Sequence, residues 1–196
     1  MKTKNIITAI SFVLLGISCK AQNPVINLED FNGEYINGAY YKDVKNILNQ
    51  FEGTYVYDDG VNYLKIVFQK KVMQDAGNCY EDLLIGEYQY KKNGVEIINT
   101  LNKLNTSLTN VYDYSIDGNY FLNNHTPFDD YTTDNFRINL GMDVPNGIYA
   151  DLDVRKCVVN GQEAIQIFKR TRYFSSVGET VPPVIVPNGF FFLIKQ

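Results

Sequence analysis

The chain has 196 residues, a net charge of −4 at pH 7, a pI near 5.0 and a single histidine. Such an acidic chain lacks the basic surface that binds nucleic acid or anionic lipid head groups, so we expect no nucleic-acid partner and only covalent attachment to membranes. One histidine excludes a multi-histidine metal site, and we expect neither a metal nor a cofactor.

The first residues are typical of an export signal rather than of a folded element. Lys2 and Lys4 give a basic start, and residues 6–17 form an apolar run. That run is too short to span a bilayer as a helix, and its length is typical of the apolar core of a cleaved signal peptide. We therefore expect an exported protein.

The end of the apolar run indicates how the protein is anchored. It reads Leu-Gly-Ile-Ser directly before Cys19, which resembles the bacterial lipobox except that Gly16 stands where leucine is usual. The resemblance implies a lipoprotein signal peptide over 1–18 and acyl chains on Cys19. The alternative is an ordinary signal peptide that is cleaved near Ala21.

Cleavage before Cys19 leaves 16 basic and 22 acidic residues, a net charge of −6. Two or three acyl chains on one residue are more than stable membrane anchoring needs. We expect the protein to be attached to the outer membrane, on its periplasmic or its surface face. Residues 19–38 form the lipidated cysteine and a tether in which Val25, Ile26 and Leu28 can dock as an edge strand. Residues 39–196 then form one β domain.

The domain opens with a helical pattern. Four apolar side chains recur at helical spacing and are expected to be buried: Val44, Ile47, Leu48 and Phe51. This spacing predicts a short helix over 43–50, which ends before Gly53. From residue 54 the apolar period changes to two, which indicates strands.

Turn signals divide the rest of the chain into short strands. They are Asp59-Gly60, Asn93-Gly94, Asp117-Gly118 (expected as a hairpin tip), Asn146-Gly147, Asn160-Gly161 and Asn188-Gly189. The strand-like runs are 53–57, 63–70, 83–90, 95–99, 111–116, 135–140, 148–154, 164–172 and 190–195. This pattern predicts an all-β fold, mainly antiparallel, as a single-domain barrel or sandwich with one short helix before the first strand.

Four segments resemble a family of small lipoproteins from flavobacteria and other Bacteroidota. They are Phe51-Glu-Gly-Thr-Tyr-Val-Tyr, Ile66-Val-Phe-Gln-Lys-Lys, Tyr80-Glu-Asp-Leu-Leu-Ile-Gly-Glu-Tyr-Gln-Tyr and Asn93-Gly-Val-Glu-Ile-Ile-Asn-Thr. The resemblance implies the compartment and the boundaries but no activity. Its members commonly carry tryptophan where this chain has Tyr55. Gly53-Thr54-Tyr55 after a helical turn is also similar to the first strand of lipocalins, which implies a lipocalin-like barrel.

Tyrosines are the main candidates for binding. Tyr55 and Tyr57 share one strand face, and Tyr88 and Tyr90 share another together with Gly86. Aromatic rings with polar tips suit a ligand-lined cavity or a sugar-stacking surface, although tyrosine is also an ordinary strand residue. We therefore take these four tyrosines as a hypothetical ligand site.

The remaining candidates carry weaker signals. Cys79 and Cys157 can form a disulfide in an exported protein or remain small thiols, and strand parity predicts that Cys157 faces outward. Asp151 and Asp153 share a strand face, and residues 129–130 form a second acidic pair. His125 lies in a turn-like context that indicates a solvated loop residue.

Three classes of function follow. The first is a non-catalytic envelope lipoprotein that binds a small molecule, a glycan or an envelope protein. The second is a lipocalin-like carrier of a small apolar ligand, which requires an interior cavity. The third is a carboxylate-based hydrolase, which requires two acids that converge in a cleft. We expect the first, and no enzyme activity.

Overall fold

The computed structural model describes residues 23–106, 108–122, 128, 137–145, 148–172 and 183–196. These residues form β1 (Val25–Asn27), β2 (Tyr40–Lys42), β3 (Gly53–Asp58), β4 (Asn62–Asp75), β5 (Tyr80–Lys92), β6 (Val95–Asn99), β7 (Ile116–Phe121), β8 (Arg137–Val144), β9 (Ile148–Val159), β10 (Gln162–Arg172) and β11 (Gly189–Lys195). Short 3-10 turns lie at Leu28–Asp30, Leu48–Phe51, Leu101–Asn105 and Val111–Asp113. In the described ranges, no helix has the length and apolar character needed to cross a membrane. The predicted all-β, mainly antiparallel fold is confirmed.

Eight strands close into a barrel, which decides between the two predicted architectures. The order is β5-β4-β3-β11-β10-β9-β8-β7, and β7 pairs back onto β5 through Leu84–Gly86 and Ile116–Gly118. All eight neighbouring pairs are antiparallel. Closure removes the free sheet edges that an open sheet would expose.

One edge of β5 is shared by three strands. β2 pairs in parallel with Tyr80 and Glu81, β7 pairs with residues 84–86, and β6 pairs with residues 89–92. β1 adds to β2 as a parallel edge strand, as the sequence allowed for the stretch from Val25. Between β2 and β7 the sheet divides, and we call this division the seam.

Several hairpins follow the turn signals in the sequence. Asn93-Gly94 and Asn160-Gly161 have positive φ at both residues, which the tight turns joining twisted antiparallel strands require. Asp59 accepts hydrogen bonds from the backbone N–H groups of Val61 and Asn62, and so orders the β3–β4 turn. Asn146-Gly147 lies outside the described residues.

Other local predictions were wrong. Asp117-Gly118 is not a hairpin tip: it lies inside β7, where the pairing to β8 shifts after Asp117. Gly118 has a φ of +147° there, and a Cβ would lie 3.0 Å from the carbonyl oxygen of Asn139. Residues 111–113 form a 3-10 turn rather than a strand.

The barrel interior is a continuous apolar cluster. On β9, for example, Leu152 and Val154 face inward and are fully buried. Gly86 faces inward beside Phe68, and a Cβ on Gly86 would lie 2.7 Å from the Phe68 ring. The glycine in β5 therefore makes room for the ring that fills this level of the barrel.

Residues 39–51, the closing segment, pack against the barrel end at which β3 begins. Ile47, Leu48 and Phe51 are buried as predicted, but Val44 is 54 % exposed. The predicted helix is reduced to the 3-10 turn Leu48–Phe51, because Asn46 takes a φ of +54° and breaks the α-helical path.

Candidate functional site

The four candidate tyrosines all lie on the interior side of neighbouring strands. Tyr57 and Tyr90 flank Leu64 of β4 at one level, and Tyr55 and Tyr88 flank the next inward residue of that strand. Tyr55, Tyr88 and Tyr90 are at most 1 % exposed, whereas Tyr57 is half-buried with its ring edge-on to a phenylalanine of β11. The rings therefore converge, as the sequence analysis expected, and three of them are part of the core.

The hydroxyls of these tyrosines bond to the protein itself. Tyr88 donates to the carbonyl oxygen of Asp143 at 3.0 Å, and Tyr90 donates to Asn62 Oδ1 at 2.7 Å. Burial raises the pKa of Tyr55 to about 12. Each buried ring already has packing and polar partners within the chain. Ligand binding by these rings remains a prediction.

Cys79 and Cys157 are free thiols. Cys79 is buried before β5, and burial raises the pKa of its thiol. Cys157 is half-buried on the outer side of β9, as its parity predicted.

The strand carboxylates are engaged by side chains of their own sheet. Asp151 accepts hydrogen bonds from Arg170 at 3.3 Å and Arg172 at 2.5 Å, and Asp153 accepts one from Asn139 at 2.7 Å. Across the described ranges, no group of three or more His, Cys, Asp or Glu residues is arranged to hold a metal ion. Cys19, His125 and the acidic pair at 129–130 lie outside the described residues.

A pocket opens on the outer wall of the barrel at the seam. Its walls come from three parts of the chain: the segment that follows β1, the edge shared by β2 and β5, and β7. The cavity volume is about 50 Å³. The lining residues of this seam pocket are Leu28, Glu29, Phe31, Tyr35, Tyr41, Glu81, Asn119, Tyr120 and Phe121.

Three aromatic rings form one side of the seam pocket. Phe31 and Tyr35 each meet Tyr41 edge-on, with ring centroids 5.5 and 5.2 Å apart. The Tyr41 hydroxyl accepts from the backbone N–H of Ile36 at 2.8 Å and donates to the carbonyl oxygen of Glu34 at 3.1 Å. These bonds fix the loop that carries Tyr35, whose side chain nevertheless remains 47 % exposed.

Glu81 supplies a buried carboxylate to the pocket. It is 6 % exposed, accepts a hydrogen bond from Asn119 Nδ2 at 2.8 Å and another from the Tyr112 hydroxyl. Asn119 Nδ2 also donates to the carbonyl oxygen of Asp82 at 2.9 Å, and so links β7 to β5 beside the seam. In the described part of the chain, no lysine, arginine or histidine side chain pairs with Glu81.

Neighbouring groups report the negative field around Glu81. Burial, together with the Glu81 charge, raises the pKa of Tyr35 to about 12. Burial, then the charges of Asp143 and Glu81, raises the pKa of Asp117 to about 7. Burial, the larger cause of both shifts, disfavours a charge of either sign, whereas the contribution of Glu81 disfavours a further anion specifically.

A second cavity, of about 400 Å³, lies between β4 and the 3-10 turns Leu101–Asn105 and Val111–Asp113. Lys71 places its ammonium 5.6 Å from the centre of the Tyr114 ring there. The cavity is wide and more open than the seam pocket. We therefore take the seam pocket as the candidate site.

The family model of a family of unknown function, DUF6705, matches residues 1–146. The chain belongs to this family. The DUF6705 match contains Cys19 and every residue that lines the seam pocket, while β9, β10 and β11 lie beyond it. Comparisons with curated proteins and with solved structures returned no match. The DUF6705 description assigns neither a compartment nor a lipid modification, so both remain predictions.

Sequence reasoning missed the residues of the seam pocket. Phe31 and Tyr35 lie in the stretch interpreted as a tether, and Asn119 and Tyr120 follow the turn signal that proved to be inside β7. The available signal was the density of aromatic residues from Phe31 to Tyr41, which is unusual for a tether.

Proposed function

We propose that this DUF6705 protein is a non-catalytic, lipid-anchored protein of the bacterial cell envelope that binds a ligand at the seam pocket. The seam pocket itself carries this proposal: it combines an accessible cavity, partly exposed rings and a buried carboxylate. Tyr55, Tyr88 and Tyr90 offer no comparable opening, because they are fully buried.

A lipocalin-like carrier of a small apolar ligand is the second candidate. The closed eight-stranded barrel favours it, since barrels of this size either fill with side chains or hold one small ligand. Full burial of Tyr55, Tyr88 and Tyr90 favours the filled interior, and therefore the pocket on the outer wall.

A panel of four small probes tests the location of the site. We would measure saturation-transfer NMR from the full chain in non-ionic detergent to butylammonium, 1-butanol, pentanoate and glucose. At least one probe should bind to the wild type and lose at least tenfold in affinity in Tyr35→Ala.

Phe192→Ala is the matched control, because Phe192 is 46 % exposed on β11, away from the seam. It should leave probe binding unchanged. Equal losses in both variants, or no probe whose binding depends on Tyr35, would rule out a ligand site at the seam.

Lipid attachment is tested at Cys19. Expression with labelled palmitate in a bacterium that processes lipoproteins should label the wild type, Cys79→Ala and Cys157→Ala, but not Cys19→Ala. Loss of the anchor should also release the domain from membranes without unfolding it, as long as the apolar signal is removed. Labelling of Cys19→Ala at the wild-type level would refute the lipobox interpretation.

A further inference from the structure

We propose that the seam pocket binds a primary alkylammonium group, with its charge held between the rings and the Glu81 carboxylate. This inference rests on the proposed function, because it names the ligand class for the same pocket. Two observations support it: the charge of the lining and the arrangement of the rings.

Among the residues that the structure describes, one of the two carboxylates of the pocket has no cation beside it. Glu29 is paired with Lys45 at 2.9 Å, and Asn27 also donates to it. Within the described residues, Glu81 receives hydrogen bonds only from neutral donors, Tyr112 and Asn119. A buried carboxylate is stabilised more by a cation than by neutral donors, so an ammonium ligand is the natural complement of Glu81.

The aromatic rings favour the same ligand class. Phe31, Tyr35 and Tyr41 contact one another on one wall, and Tyr120, 55 % exposed, lies on β7 across the seam. Ring faces attract ammonium groups, and partial desolvation strengthens that attraction. Rings next to an acid thus add affinity for a cation while they exclude water from it.

Hydrogen-bonding capacity distinguishes among ammonium groups. A primary amine offers N–H donors to the Glu81 oxygens, which a quaternary amine lacks. We therefore expect a primary amine to bind more tightly than a quaternary one.

Two sources can supply this group. With Cys19 anchored, Leu28 lies within about 30 Å of the membrane surface, since extended chain spans roughly 3.3–3.6 Å per residue. The ammonium of an ethanolamine phospholipid head group is then within reach, and so is a free alkylamine. The two differ in the phosphate, which the carboxylates of Glu29 and Glu81 repel unless Lys45 at the rim pairs with it.

The test is a calorimetric titration of the full chain in non-ionic detergent at pH 7. Butylammonium should bind at least tenfold more tightly than its neutral isostere 1-butanol, and added salt should weaken it. Glu81→Gln should lose that preference, whereas the matched change Glu163→Gln should retain it. Glu163 is an exposed acid on β10 whose partners are Lys156 and Lys195. Tyr35→Ala, at an exposed position, keeps the test decisive if Glu81→Gln fails to fold.

Glycerophosphoethanolamine and glycerophosphocholine distinguish the sources. Tighter binding of glycerophosphoethanolamine than of butylammonium would assign the site to lipid head groups, and the reverse order to free amines. Equal binding of butylammonium and 1-butanol, or tighter binding of glycerophosphocholine, would overturn the ammonium assignment. If 1-butanol or pentanoate then bound in a Tyr35-dependent way, the pocket would still be a ligand site. Tyr35-independent binding of every probe would overturn both proposals.

Discussion

Lys169 is a buried cation inside an apolar barrel. It is 1 % exposed and lies on the interior side of β10, opposite Leu152. Its ammonium donates to Thr171 Oγ1 at 2.9 Å and to Asn188 Oδ1 at 3.0 Å, and no carboxylate in the described ranges pairs with it. Burial lowers the pKa of Lys169 to about 8. The folded protein therefore holds this charge at a cost near neutral pH.

We expect Lys169→Met to stabilise the protein by about 1–3 kcal/mol at pH 7. Thr171 and Asn188 keep their own hydrogen bonds to each other in that variant. Because the pKa of Lys169 is lower in the folded state, its cost is complete below pH 8 and shrinks as the pH rises towards the unfolded value. The wild type should therefore approach the variant in stability at pH 10.

Denaturant unfolding at pH 7 and pH 10 measures this difference, with Lys92→Met as the control at an exposed lysine. A variant less stable than the wild type at pH 7 would mean that the two hydrogen bonds outweigh the desolvation of the ammonium.

At the scale of elements, the closing segment is held by two buried carboxylates. Asp82 accepts from the Tyr40 hydroxyl at 2.6 Å and from the backbone N–H groups of Asp43 and Met73. Asp43 accepts from the N–H groups of Ile47 and Leu48, and pairs with Lys70 at 2.8 Å. These bonds take the place of the predicted helix and fix the segment to β4 and β5.

Asp43→Asn should therefore destabilise the protein by roughly 2–4 kcal/mol, because it leaves the Lys70 charge buried without a counter-ion. The Asp43 and Lys70 side chains are 1 % and 7 % exposed. In a double-mutant cycle with Lys70→Met, the double variant should recover part of the loss. Strict additivity of the two changes in unfolding free energy would show that the pair does not act as a unit.

The sequence predicted correctly those elements that are determined by residues adjacent in the chain. Asn93-Gly94 and Asn160-Gly161 specify their turns through positive φ, and alternation places Cys157 outside and Leu152 inside. The helix was over-predicted because apolar spacing does not show that the Asp43 side chain accepts the N–H groups of this segment. Val44 is exposed for the same reason, because the backbone here follows the bonds to Asp43 instead of an α-helix.

At the scale of the whole molecule, contacts between distant parts of the chain determine both the closure and the site. The pairing of β5 with β7 distinguishes a barrel from a sandwich, and only three residue pairs make it. The seam pocket joins residues from Leu28 to Phe121 because β2 and β7 share one edge of β5. Neither feature has a local signature, so composition and periodicity left the architecture open and missed the pocket.

The central claim is that the interior tyrosines stabilise the fold while the seam pocket binds the ligand. Unfolding free energies and butylammonium binding of Tyr88→Ala and Tyr35→Ala test it together. Tyr88→Ala should lose roughly 3–5 kcal/mol of stability, because a fully buried ring is removed. Tyr35→Ala should lose less than about 1 kcal/mol of stability and most of the binding. A stable Tyr88→Ala that no longer binds, beside a Tyr35→Ala that binds normally, would place the site inside the barrel and contradict the account.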